Sequence, residues 1–459
     1  MALVVAIVPA VVHAAAWTVV PSVETTLTFA DNITTQSKGN EESEVVLEVM
    51  PAVRVASSEG RTQLGLNYGV DNLYYANDPH RNLSQQSLRS NASSEMLRDL
   101  FFVNASGTIT YQAIKPTAAV NVGTLAISRD STEVATWNLS PYFQQTMGGD
   151  LMMRAGLNLT AVDYKEFLPD SFTREYFVNM SSGPSAQDLI WKFDVKADDT
   201  YNGGQLSDSK HQSTELDIRY KVFPQWALAG RAGYVDYAYD YDSHVSDEPK
   251  GTTWRTGAVW VPSTRTELEL GASKHFFGHT KYGSFFHRGR SLHFDVNYEE
   301  IVTYRRQLQT EFSKLQATDP DVQVGPRFLT ETEEVFISKN TRVGGGYKSS
   351  ELAIELFGYH DRRRTQKTAG TEIIEGAEAK MSLILSRRAS LEASISQARM
   401  DSLNLTSTVV TQASMSLLRT FGAGLHGSII LRRSEQKSTD ITLSDYVANF
   451  VSLRVLLEF

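Results

Sequence analysis

Cysteine is absent from all 459 residues, which removes disulfides, thiolate metal sites and cysteine nucleophiles in one step. Its absence also suits an oxidising envelope compartment. Beyond the N-terminus no stretch approaches the ~20 apolar residues a membrane helix needs. The longest apolar run, Ala2 to Ala16, is broken by Pro9 and His13 and ends in Ala14-Ala15-Ala16. It reads as a signal peptide over residues 1–16, with the mature chain starting near Trp17; no Lys or Arg leads it, so a truncated leader is expected. A basic excess is lacking too. The net charge of -9 argues against nucleic acid as a partner. There is no Gly-X-Ser-X-Gly elbow and no His-Glu-X-X-His, and His275 with His279 lacks the intervening Glu. No catalytic residue, metal ligand or cofactor is therefore expected, and the chain does not read as an enzyme. Eight Asn-X-Ser/Thr sequons occur, as chance would supply in a chain rich in these residues.

What the chain does have is period-two alternation along almost its whole length. The last ten residues place Val451, Leu453, Val455, Leu457 and Phe459 on one parity, against Ser452, Arg454 and Glu458 on the other. Leu189, Trp191, Phe193 and Val195 alternate with Lys192, Asp194 and Lys196. Leu216, Ile218, Tyr220 and Val222 alternate with Glu215, Asp217, Arg219 and Lys221. Glu267 and Glu269 alternate with Leu268 and Leu270, His293, Asp295 and Glu299 with Phe294, Val296 and Tyr298, and Glu378 and Lys380 with Ala377, Ala379 and Met381. A soluble sandwich also alternates. Two features favour a membrane barrel instead: runs near ten residues or longer, against a usual ~5–6, and aromatics gathered at their ends (Tyr74, Tyr75, Tyr237, Phe277, Phe285, Phe286). Mean hydropathy of -0.27 is no objection, since polar lumen residues dilute the lipid-facing ones.

The reading is an all-β fold, a transmembrane antiparallel up-and-down barrel of about twenty strands (range 18–22), formed by residues 17–459 as one domain. Connections alternate between short (57–60, 148–149, 183–184, 223–225, 261–263) and long (30–43, 77–95, 199–210, 240–250, 277–287). The alternation lapses at 113–131 and 306–332, each of which conceals a weak strand or a segment folded into the lumen. Pro21, Pro51 and Pro141 inside alternating runs imply bulges or strand rims, and Gly344-Gly345-Gly346 a kink or turn. His293, His360 and His426 read as solvated lumen residues.

Several segments form a recognisable pattern. Trp17-Thr18-Val19-Val20-Pro21-Ser22-Val23 is followed by Ala30-Asp31-Asn32 and by Asn138-Leu139-Ser140-Pro141-Tyr142; then come Trp254-Arg255-Thr256-Gly257 and Val259 through Thr266. Phe276 through Tyr282, His287-Arg288-Gly289-Arg290 and Tyr298-Glu299-Glu300 continue it. From residue 17 onward the chain resembles the outer-membrane β-barrel family associated with the PEP-CTERM/exosortase system. The resemblance implies an envelope role linked to exopolysaccharide, and no chemistry.

The expected lumen lining is Lys192, Asp194, Glu215, Asp217, Arg219, Lys221, Glu267, Glu269, His293, Asp295, Glu299, Glu378, Lys380 and Arg454. Glu267 and Glu269 also have the look of a glycosidase pair, although polar pore lining accounts for them. Tyr237, Tyr239, Asp240, Tyr241 and Asp242 could stack on and hydrogen-bond a sugar. The plainer account is interfacial tyrosines running into an acidic loop. Phe459 is the expected assembly signal, read by the barrel-assembly machinery through the last strand. The remaining expected partners are outer-membrane lipid and, through the resemblance, exopolysaccharide and secretion proteins. Three functions stay open: an exopolysaccharide conduit or accessory pore, a general diffusion porin, and an envelope anchor without transport.

Overall fold

The computed structural model describes residues 17–58, 60–113, 131–165, 169–203, 208–239, 250–275, 277–304, 335–365, 371–401, 406–440 and 445–459. Within them the chain forms 22 strands: β1 (Trp17–Ala30), β2 (Glu44–Ser57), β3 (Thr62–Tyr75), β4 (Leu83–Leu97), β5 (Phe101–Ala113), β6 (Ser131–Met147), β7 (Leu151–Tyr164) and β8 (Ser171–Ser182). They continue as β9 (Leu189–Asn202), β10 (Ser209–Phe223), β11 (Trp226–Tyr239), β12 (Lys250–Ser263), β13 (Thr266–His275), β14 (Gly278–Arg288) and β15 (Leu292–Tyr304). The last seven are β16 (Val335–Lys348), β17 (Leu352–Thr365), β18 (Thr371–Ser386), β19 (Ala389–Asp401), β20 (Ser407–Gly422), β21 (Leu425–Ser438) and β22 (Tyr446–Glu458). Each pairs antiparallel with its neighbours in sequence, and β1 pairs with β22 over Ser22–Ala30, so the sheet closes. Closure gives every described strand two partners and leaves no edge strand, the condition for spanning a bilayer with strands.

The exposed face is the apolar one. Leu228, Leu270, Leu356 and Leu453 are each more than half exposed on it (57%, 57%, 58% and 52%). Water would not tolerate that surface; hydrocarbon does. Exposed aromatics bracket the apolar zone at both ends, with Phe143, Phe223, Trp226 and Phe421 near the short turns and Phe29, Tyr74, Tyr234 and Trp254 near the long connections. Short turns share one end of the barrel with the start of β1 and the end of β22, and short turns on the periplasmic side put the long connections on the cell exterior.

Two segments read as long loops are largely wall. Most of 77–95 belongs to β4, and 277–287 is β14. With those two strands the described residues hold 22, the upper end of the expected range of 18–22. The cause is visible in their sequences. Leu83 to Leu97 carries Ser, Gln and Asn on both parities, and β14 carries His279 and Lys281 on the face where Phe285 also lies, so neither alternates cleanly. Residues 114–130 and 305–334, where hidden strands or a lumen segment were expected, lie outside the described residues, as does the leader at 1–16.

The prolines sit where a ladder is interrupted. Pro51 falls in the break between Val49↔Asn72 and Ala52↔Gly69, Pro141 in the break between Leu139↔Leu159 and Tyr142↔Gly156, and Pro21 just before pairing to β22 begins. Proline has no N–H to give to a ladder. The triple glycine, by contrast, is no turn. Gly344 to Gly346 lie mid-strand in β16, fully paired on both sides. A Cβ at Gly344 would stand 2.6 Å from an Asp295 oxygen, and one at Gly346 would stand 2.4 Å from the His293 ring.

β13 and β14 are the shortest strands described, and they meet through 276–277 at the end where other connections are long. The wall is therefore low there. β14 pairs with β15 only over Gly283–Arg288, leaving Gly278–Tyr282 without a ladder on that side. The Glu300 carboxylate takes up part of the gap, accepting the Lys281 backbone N–H, the Tyr298 hydroxyl at 2.7 Å and the Lys339 ammonium at 2.8 Å.

Candidate functional site

Because side chains alternate across a strand, the parity opposite the exposed apolar residues faces the inside of the cylinder. Arg219 and Glu267 show which face is concave. They sit on β10 and β13, with two strands between them, and still meet at 3.1 Å. At about 4.8 Å per strand, their stems could converge over that arc only from the inner side of a curved wall.

All fourteen residues singled out from the sequence lie on that parity, and on one stretch of wall they form a ladder of opposite charges. Arg231 donates to Asp217 at 2.5 Å and stands 3.5 Å from Glu215, and Arg255 meets Glu269 at 3.0 Å. Lys192 pairs with Asp194 at 2.7 Å, whose other oxygen accepts Asn179 Nδ2 at 2.5 Å. Elsewhere on the face Glu378 pairs with Lys380 at 3.6 Å and Arg454 with Glu24 at 3.2 Å. His293 and Asp295 lie over the cleared glycines of β16. The sequence did not mark Arg231, Arg255 or Tyr282 as lumen lining, although Arg255 and Tyr282 fall within the motifs that carry the resemblance. The arginines sit in runs of Ala, Gly and Thr whose alternation is weak, so only strand pairing shows what they face.

Tyr282 fills the wall between these charges. Its ring lies against Gly257 and Gly271, where an added Cβ would come within 2.3 Å and 2.5 Å of Tyr282 atoms. Arg255 stacks over the same ring at 3.4 Å from its centroid. Glycine is required here by the ring's approach, and the stacked guanidinium is thereby held flat against the wall.

Tyr237 is not an interfacial residue. Its ring stacks on that of His211 at 4.3 Å on the concave side, and His211 Nδ1 shares a hydrogen bond with Asp198 at 2.9 Å. The backbone of Tyr239 ends β11, whereas Asp240, Tyr241 and Asp242 lie outside the described residues. Tyr75 also turns inward, joining Val46, Leu73, Tyr446 and Phe450 in an apolar cluster at the long-connection end. Ile33 enters that cluster from the 31–43 connection, which Asn32 ties down by donating to Gln36 O (2.8 Å) and Val447 O (3.0 Å). His426 lies on the concave parity. His360 does not: it shares its face with exposed Leu356 and pairs with Glu375 at 3.1 Å. Among the described residues no His, Asp and Glu side chains gather as a metal site would need.

A family model described as putative beta-barrel porin 2 matches residues 9–171, less than half of the chain. No curated protein matches. Among solved structures the chain is similar to the FrpB iron transporter of Neisseria meningitidis (F5-1 variant), at 9% identity and a TM-score of 0.56, covering 96% of this chain and 82% of that one. The siderophore receptor PirA of Pseudomonas aeruginosa aligns at 10% identity and a TM-score of 0.44, over 96% and 80% of the two chains. OccK2 (OpdF) of the same organism aligns at 7% identity and 0.39, over 96% and 98%. At these identities the first likeness speaks for the fold alone. Together with the closed sheet and its apolar outer band, it makes this chain a transmembrane β-barrel of the Gram-negative outer membrane.

Proposed function

We propose that the barrel is a diffusion channel whose aqueous lumen is lined by the fourteen charged and polar residues named above, passing small polar solutes. The observation that carries this is the mixed-charge ladder on the concave wall of β9–β13, where Arg219, Arg231 and Arg255 face Glu215, Asp217, Glu267 and Glu269. Paired charges of both signs along one side of an aqueous passage interact with dipolar solutes and disfavour apolar ones, with no single sign strong enough to trap an ion. A cylinder of 22 strands is wide enough to hold water along its axis.

A second reading keeps the same lumen but gives it a polymer. The resemblance to the exosortase-associated barrels supports exopolysaccharide, and the inward Tyr237–His211 stack beside Asp198 offers an aromatic platform with a hydroxyl acceptor near the outer mouth. The test is planar-bilayer conductance combined with a deletion strain. Steady single-channel conductance, with ion selectivity shifted when Glu267 and Glu269 are both changed to Gln, supports the solute channel. Periplasmic accumulation of polysaccharide on deletion, with small-solute uptake unchanged, moves the assignment to the polymer conduit. Absence of both, with loss of surface-protein display, leaves an anchor.

A further inference from the structure

The lipid-facing side of the barrel is not uniform. Across β15–β19 it sinks into an apolar groove of about 540 Å³, walled by Phe294, Val343, Leu356 and Ile395 and floored by Gly358 and Ala377. The register puts Phe294, Gly345, Leu356, Ala379 and Ile395 in one row, and Val343, Gly358 and Ala377 in the next row outward. Small side chains between four large ones make the depression. Its width of several strands suits acyl chains lying along the wall.

On β17 the same face continues outward from Gly358 through His360 to Arg362 and Arg364. At about 3.3 Å per residue the Cα atoms of Arg362 and Arg364 stand some 13 and 20 Å further along the strand from Gly358. Neighbouring cations on this face have local partners: Lys339 meets Glu300 at 2.8 Å and Arg399 meets Asp401 at 3.0 Å. Among the described residues Arg362 and Arg364 have no ion pair, nor do Lys274 and Lys281, which extend the patch onto β13 and β14. Lys274 is in register with Trp254, one of the exposed aromatics at the long-connection end. That register puts the patch at headgroup depth in the outer leaflet. Surplus cations there need anions, and the membrane supplies them as phosphates.

We propose that this surface binds one phosphorylated glycolipid of the outer leaflet, of the lipid A class, with acyl chains in the groove and phosphates on Arg362 and Arg364. Arginine suits phosphate because its planar fork donates two parallel hydrogen bonds. The site is independent of the lumen, so its failure and that of the channel reading are separable.

The experiment is native mass spectrometry of the full-length barrel in detergent, incubated with diphosphoryl lipid A, the same lipid dephosphorylated, or phosphatidylglycerol. The wild-type barrel should retain one diphosphoryl lipid at least tenfold better than either competitor. R362S/R364S should lose that preference, and Gly358→Phe should lower retention by filling the groove. Arg419→Ser, at the short-turn end of the outer face, should change nothing. A gel comparing unheated and boiled samples checks that each variant is folded. Equal retention of the dephosphorylated lipid or of phosphatidylglycerol by the wild-type protein overturns the proposal without reference to any variant. Unchanged preference in folded R362S/R364S does the same.

Discussion

At Glu215 to Val222 every second side chain changes environment. Leu216 and Ile218 are exposed on the outer face, while Asp217 and Arg219 are tied into the inner ladder. The same division separates Phe294 from Asp295 and Ala379 from Glu378. Single cysteines at Asp217, Arg219, Asp295 and Glu378 should therefore react in membranes with a water-soluble thiol reagent. Those at Leu216, Ile218, Phe294 and Ala379 should be protected, and with no native cysteine the labelling has no background. A one-residue slip in register would invert the pattern, so reversed labelling would overturn the proposed lumen lining. Inner charges are also coupled to one another. Removing Glu269 leaves Arg255 on Tyr282 without its carboxylate, and such losses in a network do not add.

Among the elements, the seam between β14 and β15 is the weakest in the wall. Its ladder covers six residue pairs, whereas β1 and β2 share fourteen. Above Gly283 the Glu300 side chain supplies hydrogen bonds that a backbone ladder supplies elsewhere. Amide exchange in detergent should be fastest here among the strands, at Gly278–Tyr282 and at 299–301, and slowest in β20 and β21. Glu300→Ala should raise exchange at Lys281 by about tenfold or more, the loss of a charge-assisted hydrogen bond of roughly 1.5–3 kcal/mol. Uniform protection around the barrel would show that the seam is closed in solution. β4 and β14 also explain why the alternation pointed to about twenty strands, with 22 at the upper end of the range. One is polar on both faces and the other mixes aromatics with His and Lys, so only their neighbours identify them as wall.

For the whole molecule, stability comes from closure. The last strand zips to the first over nine residues, and the Phe459 N–H reaches Pro21 O at 2.9 Å, while its ring, 71% exposed, points to lipid. Phe459→Asp should reduce the amount of folded barrel in the outer membrane severalfold while leaving the conductance of surviving channels unchanged. A charge on the lipid face costs up to ~2–4 kcal/mol at mid-depth and less near the interface. Unheated wild-type protein should migrate differently from boiled protein on an SDS gel, and the variant should show little of the unheated form. Normal levels of folded variant would remove Phe459 from assembly.

Alternation along the chain and the aromatics at strand ends were enough to read an antiparallel membrane barrel, and to sort fourteen polar side chains onto the parity opposite the exposed apolar ones. That is so because a strand's period of two is a local property, fixed by backbone geometry alone. What depends on neighbours was not legible. Tertiary structure decided that 83–97 and 278–288 are wall, that Gly344 and Gly346 lie mid-strand beneath Asp295 and His293, and that Arg231 and Arg255 complete the inner ladder. It also turned Tyr75 and Tyr237 inward and put His360 outside. Each of these depends on register between strands, which sets two residues opposite one another however far apart they lie in sequence.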